Sequence, residues 1–125
     1  MDWKLELIAV PVTDVDRAKE FYERVGFNLD HDHTVNPELR FVQLTPPGSA
    51  CSIAIGTGLT DAPVGSARPQ IVVPDAAAAH AELAGRGIET SGVEEYPWGK
   101  FVFFADPDGN RWALQELPAH RQGRG

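Results

Sequence analysis

The sequence contains one cysteine, one methionine and only 11 Lys and Arg residues, and its apolar runs are short. Each shortage excludes something. A lone cysteine, Cys51, builds neither an internal disulfide framework nor a thiolate metal site within one chain, and is expected as a small buried hydrophobe in a strand. Against 18 acidic residues the 11 basic ones leave a formal charge of −7, and they form no cluster able to neutralise a row of phosphates. Neither nucleic acid nor a membrane surface is expected as a partner. No apolar stretch approaches the roughly 18 to 20 residues of a membrane helix, and Met1, Asp2, Trp3 and Lys4 lack the basic head and apolar stretch of a signal peptide. A cytoplasmic location is expected. No Ser-His-Asp arrangement and no phosphate-cradling glycine loop can be argued.

The 125 residues, 42% of them hydrophobic, fit a single domain, and that domain is internally repeated. Sliding the sequence by 61 positions matches Val10 with Ile71, Val12 with Val73, Asp14 with Asp75, Ala18 with Ala79, Gly26 with Gly87 and Phe27 with Ile88. At an offset of 60, residues 41–44 fall on 101–104, and at 59, residues 52–55 fall on 111–114.

Each unit opens with an apolar segment, residues 5–12 or 71–73, followed by an Asp able to accept from the free N–H groups of a helix's first turn. Asp14 and Asp75 are therefore expected N-caps. Val15, Ala18, Phe21, Tyr22 and Val25 make one stripe of a first helix, and Gly26 suits its left-handed end. Ala76, Ala79 and Leu83 make the stripe of a second helix that stops at Gly87. Strand-like runs follow at residues 27–33, 39–44 and 51–56, then at 88–91, 101–105 and 111–117. The plan is βαβββ twice. The expected class is α+β: two tandem βαβββ modules, about 4–56 and 68–117 within a single domain 1–118, forming a curved mixed sheet around a cavity. A linker spans 57–67 and a flexible tail 119–125. The Asp106-Pro107-Asp108-Gly109 segment reads as a turn, because an EF-hand calcium loop needs more acidic positions and a closing Glu.

Strand alternation sorts the two sheet faces. Val42, Leu44, Val102 and Phe104 suit the helix side, as do Ile53, Ile55, Trp112 and Leu114, and Ile8, Val10, Val12, Ile71 and Val73 in the opening strands. Phe41, Gln43, Phe101 and Phe103 are left on the opposite face. With them stand Ser52, Ala54, Arg111, Ala113 and Gln115, and from the opening strands Leu7, Ala9, Arg68, Gln70 and Val72. Such a lining of rings, two arginines and amides suits an organic ligand with a flat apolar body and a few anionic or carbonyl groups.

Val12-Thr13-Asp14-Val15-Asp16-Arg17-Ala18-Lys19-Glu20-Phe21-Tyr22 leading to Gly26-Phe27, and Phe104-Ala105-Asp106-Pro107-Asp108-Gly109 leading to Glu116, make the chain resemble the vicinal oxygen chelate superfamily. That family includes glyoxalase I, bleomycin-resistance and fosfomycin-resistance proteins and extradiol dioxygenases. The resemblance covers residues 4 to 117 and implies the fold strongly and the chemistry weakly. It implies metal ligands near the start of each module's first strand and in the middle of each fourth strand. In this sequence those positions are Leu7, Ala54, Arg68 and Ala113, none of which binds a divalent ion. His31 and His33 keep a chelating i, i+2 spacing, but two histidines do not close a site, and their segment reads as a solvated hairpin end. His80 and His120 read as surface residues. No cofactor or metal is expected.

The resemblance therefore implies a metal-free protein of the bleomycin-resistance type. It is expected to be a homodimer that sequesters or carries a hydrophobic or aromatic metabolite or antibiotic. Phe41, Phe101 and Phe103 are expected to stack on the ligand, Trp98 to cover it, and Arg68, Arg111, Gln43 and Gln70 to hold its polar groups. Two alternatives stand beside this reading. One is a lyase, isomerase or dioxygenase with non-standard metal ligands, or a metal-free enzyme using Arg68 or Arg111 to stabilise an enolate-like charge; the other is a purely structural interaction module.

Overall fold

The computed structural model describes residues 2–119, so His120 and residues 121–125 of the expected tail lie outside the described residues. Ten elements follow the βαβββ plan twice: β1 (Leu7–Ala9), α1 (Val15–Val25), β2 (Asn28–Asn36), β3 (Leu39–Thr45) and β4 (Ser52–Thr57), then β5 (Gln70–Val72), α2 (Ala76–Gly85), β6 (Glu94–Tyr96), β7 (Gly99–Ala105) and β8 (Arg111–Glu116). The strands form two four-stranded mixed sheets, ordered β1-β4-β3-β2 and β5-β8-β7-β6. In each the opening strand runs parallel to the fourth, and the other neighbours are antiparallel.

Both helices start where a carboxylate meets unpaired amides. Asp14 accepts from the Arg17 amide and Asp75 from the Ala78 amide, each at 3.0 Å. The Ala76 amide is held by Glu116 Oε1 at 2.9 Å. Gly26 ends α1 at φ 118°, a left-handed backbone that a side chain would strain, and its N–H bonds to the Tyr22 and Glu23 carbonyls. Helix α1 buries Ala18, Phe21, Tyr22 and Val25, and α2 buries Ala76 and Leu83. Beneath α1 lie Val42, Leu44, Ile53 and Ile55; beneath α2 lie Val102, Phe104, Trp112 and Leu114. These are the residues assigned to the helix side by strand alternation.

The chain divides into two compact units. Among the described residues, one comprises 2–67 together with Asp106–Asn110, and the other comprises Arg68–Ala105 and 111–119. The turn between β7 and β8 thus packs with the first unit, where Asn110 Nδ2 donates to the Pro11 carbonyl at 2.8 Å. Among the described residues no helix is long and apolar enough to cross a membrane.

Three expectations change. Residues 88–91 are not a strand: Gly92 takes φ 76°, its N–H bonds to Thr90 Oγ1, and the Ser91 hydroxyl donates to the Gly92 carbonyl, so the backbone turns before pairing resumes at Glu94. Cys51 precedes β4 and is half-buried rather than sealed in a strand. The segment holding His31 and His33 is the middle of a nine-residue edge strand, β2, exposed along its whole length.

Candidate functional site

The second unit presents a sheet face not covered by its helix. Register aligns Phe103 with Ala113 and Phe101 with Gln115 across β7 and β8, and Gln70 with Ala113 across β5 and β8. Arg68, Gln70, Phe103, Arg111 and Ala113 line an open concavity of about 260 Å³ on this face, with Pro69 and Trp112 completing its wall. Four of the residues expected to bind a ligand, Arg68, Gln70, Phe103 and Arg111, are thereby brought together.

An aromatic series leads to this concavity. Trp98 and Tyr96 stack at 5.3 Å and 11°, Tyr96 meets Phe101 edge-on at 5.7 Å, and Phe101 lies parallel to Phe103 at 5.8 Å and 4°. Trp98 occupies the tip of the tight β6–β7 hairpin, is 59% exposed and lies outside the concavity, so the expected cover over it is not formed. Phe101 is buried behind Phe103. The hairpin is held by a relay of amides: Gln70 Nε2 donates to Gln115 Oε1 at 2.6 Å, and Gln115 Nε2 donates to the Trp98 carbonyl at 3.0 Å. Gly99 follows at φ 146°, where a Cβ would lie 2.7 Å from the Glu116 carbonyl oxygen. The Tyr96 hydroxyl donates to Glu94 Oε1 at 2.9 Å, which raises its pKa above the ordinary phenol value.

Phe41 and Gln43 belong to the first unit. Both are half-buried on β3, and Gln43 Nε2 donates to Ser52 Oγ at 3.2 Å. Ser52 Oγ also lies 2.6 Å from Thr45 Oγ1, which donates to Asp30. His31 and His33 stand opposite Gln43 and Phe41 on the neighbouring strand, both exposed. His80 is half-buried on α2, with Nδ1 2.6 Å from Thr90 Oγ1.

The positions at which the family resemblance implies a metal do not fit one. In the parallel pairs, Ala54 stands beside Ala9 and Ala113 beside Gln70, while Leu7 pairs with Ser52. These neighbours offer methyl groups, an amide and a hydroxyl where a divalent ion needs imidazole or carboxylate. Among the described residues no group of three His, Cys, Asp or Glu side chains converges.

Sequence reading overlooked Tyr96 and the tie that Gln115 makes to the hairpin. Both follow from the placement of β6: with its strand at Glu94–Tyr96, period-two alternation puts Tyr96 on the face of Phe101.

Comparison with known proteins agrees with this architecture. The family model described as Glyoxalase/Bleomycin resistance protein/Dioxygenase superfamily matches residues 4–114. The structure of TnmS3, an antibiotic binding protein from Streptomyces sp. CB03234, superposes with a TM-score of 0.83 at 34% identity, covering 94% of this chain and 98% of that one. A glyoxalase/bleomycin resistance protein from the same organism reaches a TM-score of 0.78 at 36% identity, over 90% of this chain and all of its own. The uncharacterized protein YetH of Bacillus subtilis (strain 168) is 31% identical over 113 residues, 87% of this chain and 94% of YetH.

Proposed function

As the chain belongs to the Glyoxalase/Bleomycin resistance protein/Dioxygenase superfamily, we propose that it is a metal-free binding protein that sequesters or carries a planar, largely hydrophobic small molecule, an antibiotic or a metabolite. It acts in the cytoplasm as a homodimer. The observation that carries this reading is the Phe101–Phe103 stack ending at a concavity whose polar groups are Arg68, Gln70 and Arg111. Rings supply a flat, sequence-built surface for a flat ligand, and amides and guanidinium groups fix its orientation. A hydrolytic or lyase reaction of the superfamily's metal kind would need donors that the metal-equivalent positions do not offer. The antibiotic binding described for TnmS3, at 34% identity, supports the same class of ligand.

Titration of a panel of polycyclic aromatic compounds by calorimetry tests this. At least one member is expected to bind, and Phe103→Ala is expected to weaken it about tenfold, the effect of removing one stacked ring from a desolvated contact. Phe103 is only half-buried, so the variant is expected to fold. Binding undiminished in Phe103→Ala would remove the concavity from the reading.

A further inference from the structure

We propose that Gln115 is a positioning residue that holds the Gln70 amide with its oxygen turned to the ligand, so that the concavity prefers a flat ring system bearing a hydrogen-bond donor, such as a ring N–H, on its edge. This rests on the reading that this face binds a flat ligand, and adds the polarity the ligand must carry.

The relay of amides fixes which atom faces which. The Trp98 carbonyl can only accept, so the Gln115 side chain must present its Nε2–H to it, at 3.0 Å. That leaves Gln115 Oε1 for Gln70, and an oxygen in that place demands the Nε2 edge of the Gln70 amide, which meets it at 2.6 Å. Gln70 Oε1 lies on the other arm of the same planar group, directed away from Gln115, and has no hydrogen-bond partner among the described residues. Turning over either amide would set oxygen against oxygen.

The fold makes room for this relay. Gln115 is 6% exposed, and Gly99 lies against it: a Cβ there would come 3.0 Å from Gln115 Nε2 and 3.3 Å from its Cγ. A buried amide held at both ends has little freedom to rotate. Each donated bond along the chain polarises its neighbour, which strengthens Gln70 Oε1 as an acceptor. Nothing around that oxygen duplicates it. The Arg68 and Arg111 guanidinium groups and the Trp112 indole only donate, and the other lining side chains are apolar, so Gln70 Oε1 is the one side-chain acceptor among the described residues of the concavity. The Pro69 carbonyl already accepts from the Ala113 N–H at 3.1 Å. A ligand donor buried here is satisfied at Gln70, whereas a ligand that brings only an acceptor leaves the Gln70 oxygen desolvated and unpaired.

The test compares indole, whose ring N–H only donates, with benzofuran, the same bicyclic outline with a ring oxygen that only accepts, by NMR titration of the full chain at neutral pH. Indole is expected to bind about fivefold tighter, the size of one net hydrogen bond. Gln115→Met keeps the length of the side chain and removes both of its bonds, and is expected to bring the indole-to-benzofuran affinity ratio to about one. Gln70→Met removes the acceptor itself and is expected to give the same ratio, with no further change in the double variant, because Gln115 acts through Gln70. A merely structural Gln115 would weaken both compounds alike and leave the ratio as it is. In the parent protein, the Gln70 Cδ resonance is expected to move downfield on adding indole and to stay in place on adding benzofuran, a readout that does not depend on the folding of either variant. Equal binding of the two compounds to the parent, a preference that survives in Gln115→Met or in Gln70→Met, or a Gln70 Cδ resonance unmoved by indole overturns the proposal and leaves flat-ligand binding standing. Failure of both compounds to bind overturns both.

Discussion

At the scale of single residues, the most demanding polar group is Asp106. It is 5% exposed, and four donors converge on it: the amides of Asp108 and Asn110 reach Oδ1 at 2.9 Å, and the Tyr22 hydroxyl and Asn110 Nδ2 reach Oδ2 at 2.7 and 2.8 Å. Removing this carboxylate takes an acceptor from four donors at once, the buried Tyr22 hydroxyl among them, whereas removing the hydroxyl leaves Asp106 with three donors. Asp106→Ala is therefore expected to cost about 3 kcal/mol and Tyr22→Phe about 1.5 kcal/mol, read as urea midpoints at unchanged slope. Equal losses in the two variants would show that the hydroxyl alone carries the network. The sequence shows the turn at Asp106, because Asp-Pro-Asp-Gly satisfies turn dihedrals locally. It does not show the network, since Tyr22 lies 84 residues away and the Pro11 carbonyl lies 99 residues from Asn110. Local chemistry is legible in a sequence; long-range partners of a polar side chain are set by packing.

At the scale of elements, α1 is tied to its sheet by charge as well as by its apolar stripe. Asp32 on β2 receives Arg40 Nε and Nη2 at 3.0 and 2.9 Å from β3 and Lys19 Nζ at 2.8 Å from α1, while Arg40 Nη1 reaches Asp16 of α1 at 2.8 Å. The Arg40 and Lys19 hydrogen bonds hold the Asp32 carboxyl well below the usual carboxylate range, and the bonds to Asp32 push Arg40 and Lys19 up. A carboxylate whose folded pKa is depressed stabilises the protein fully above its unfolded pKa of about 3.9, and that contribution is lost as pH falls from there toward the folded value. Asp32→Asn is expected to lower stability by about 1 kcal/mol from about pH 5 to pH 8, as a partly exposed network allows, and the gap to the parent protein is expected to close below about pH 4. Melting curves across that range check the sign: a gap that widens on acidification contradicts it. Elements themselves are largely readable from sequence here, because Asp14, Gly26 and Asp75 mark helix ends by side-chain chemistry and α1 has a clear stripe. Strand β6 is the exception. Ile88, buried just after α2, looks like the start of a strand, but Gly92 and the hydroxyls of Thr90 and Ser91 redirect the backbone first. That displacement hides Tyr96, and with it the aromatic series leading to the concavity.

At the scale of the whole molecule, apolar surface and net charge act in opposite directions on self-association. Val72, Tyr96 and Trp98 are exposed and lie with Gln115 on or beside the face that carries the aromatic series, and Trp3 is 84% exposed. Large apolar groups gathered on one face are unusual for a monomer in water and favour a second copy as cover. Two copies that each carry −7 repel one another, and salt screens that repulsion over distances beyond about 8 Å at physiological ionic strength. Sedimentation velocity at micromolar concentration is therefore expected to give a species of twice the 13.6 kDa chain mass, with the dimer fraction rising as salt is added. Trp98→Asp adds a charge at the exposed hairpin tip and is expected to shift the population toward monomer without changing the fold, since the Trp98 link in the Gln115 relay is its backbone carbonyl. The direction of the salt effect separates two kinds of interface. An association held by ion pairs weakens in salt, whereas one formed by Val72, Tyr96 and Trp98 strengthens, and a monomer at every salt concentration would mean that this apolar face is kept open for ligand alone.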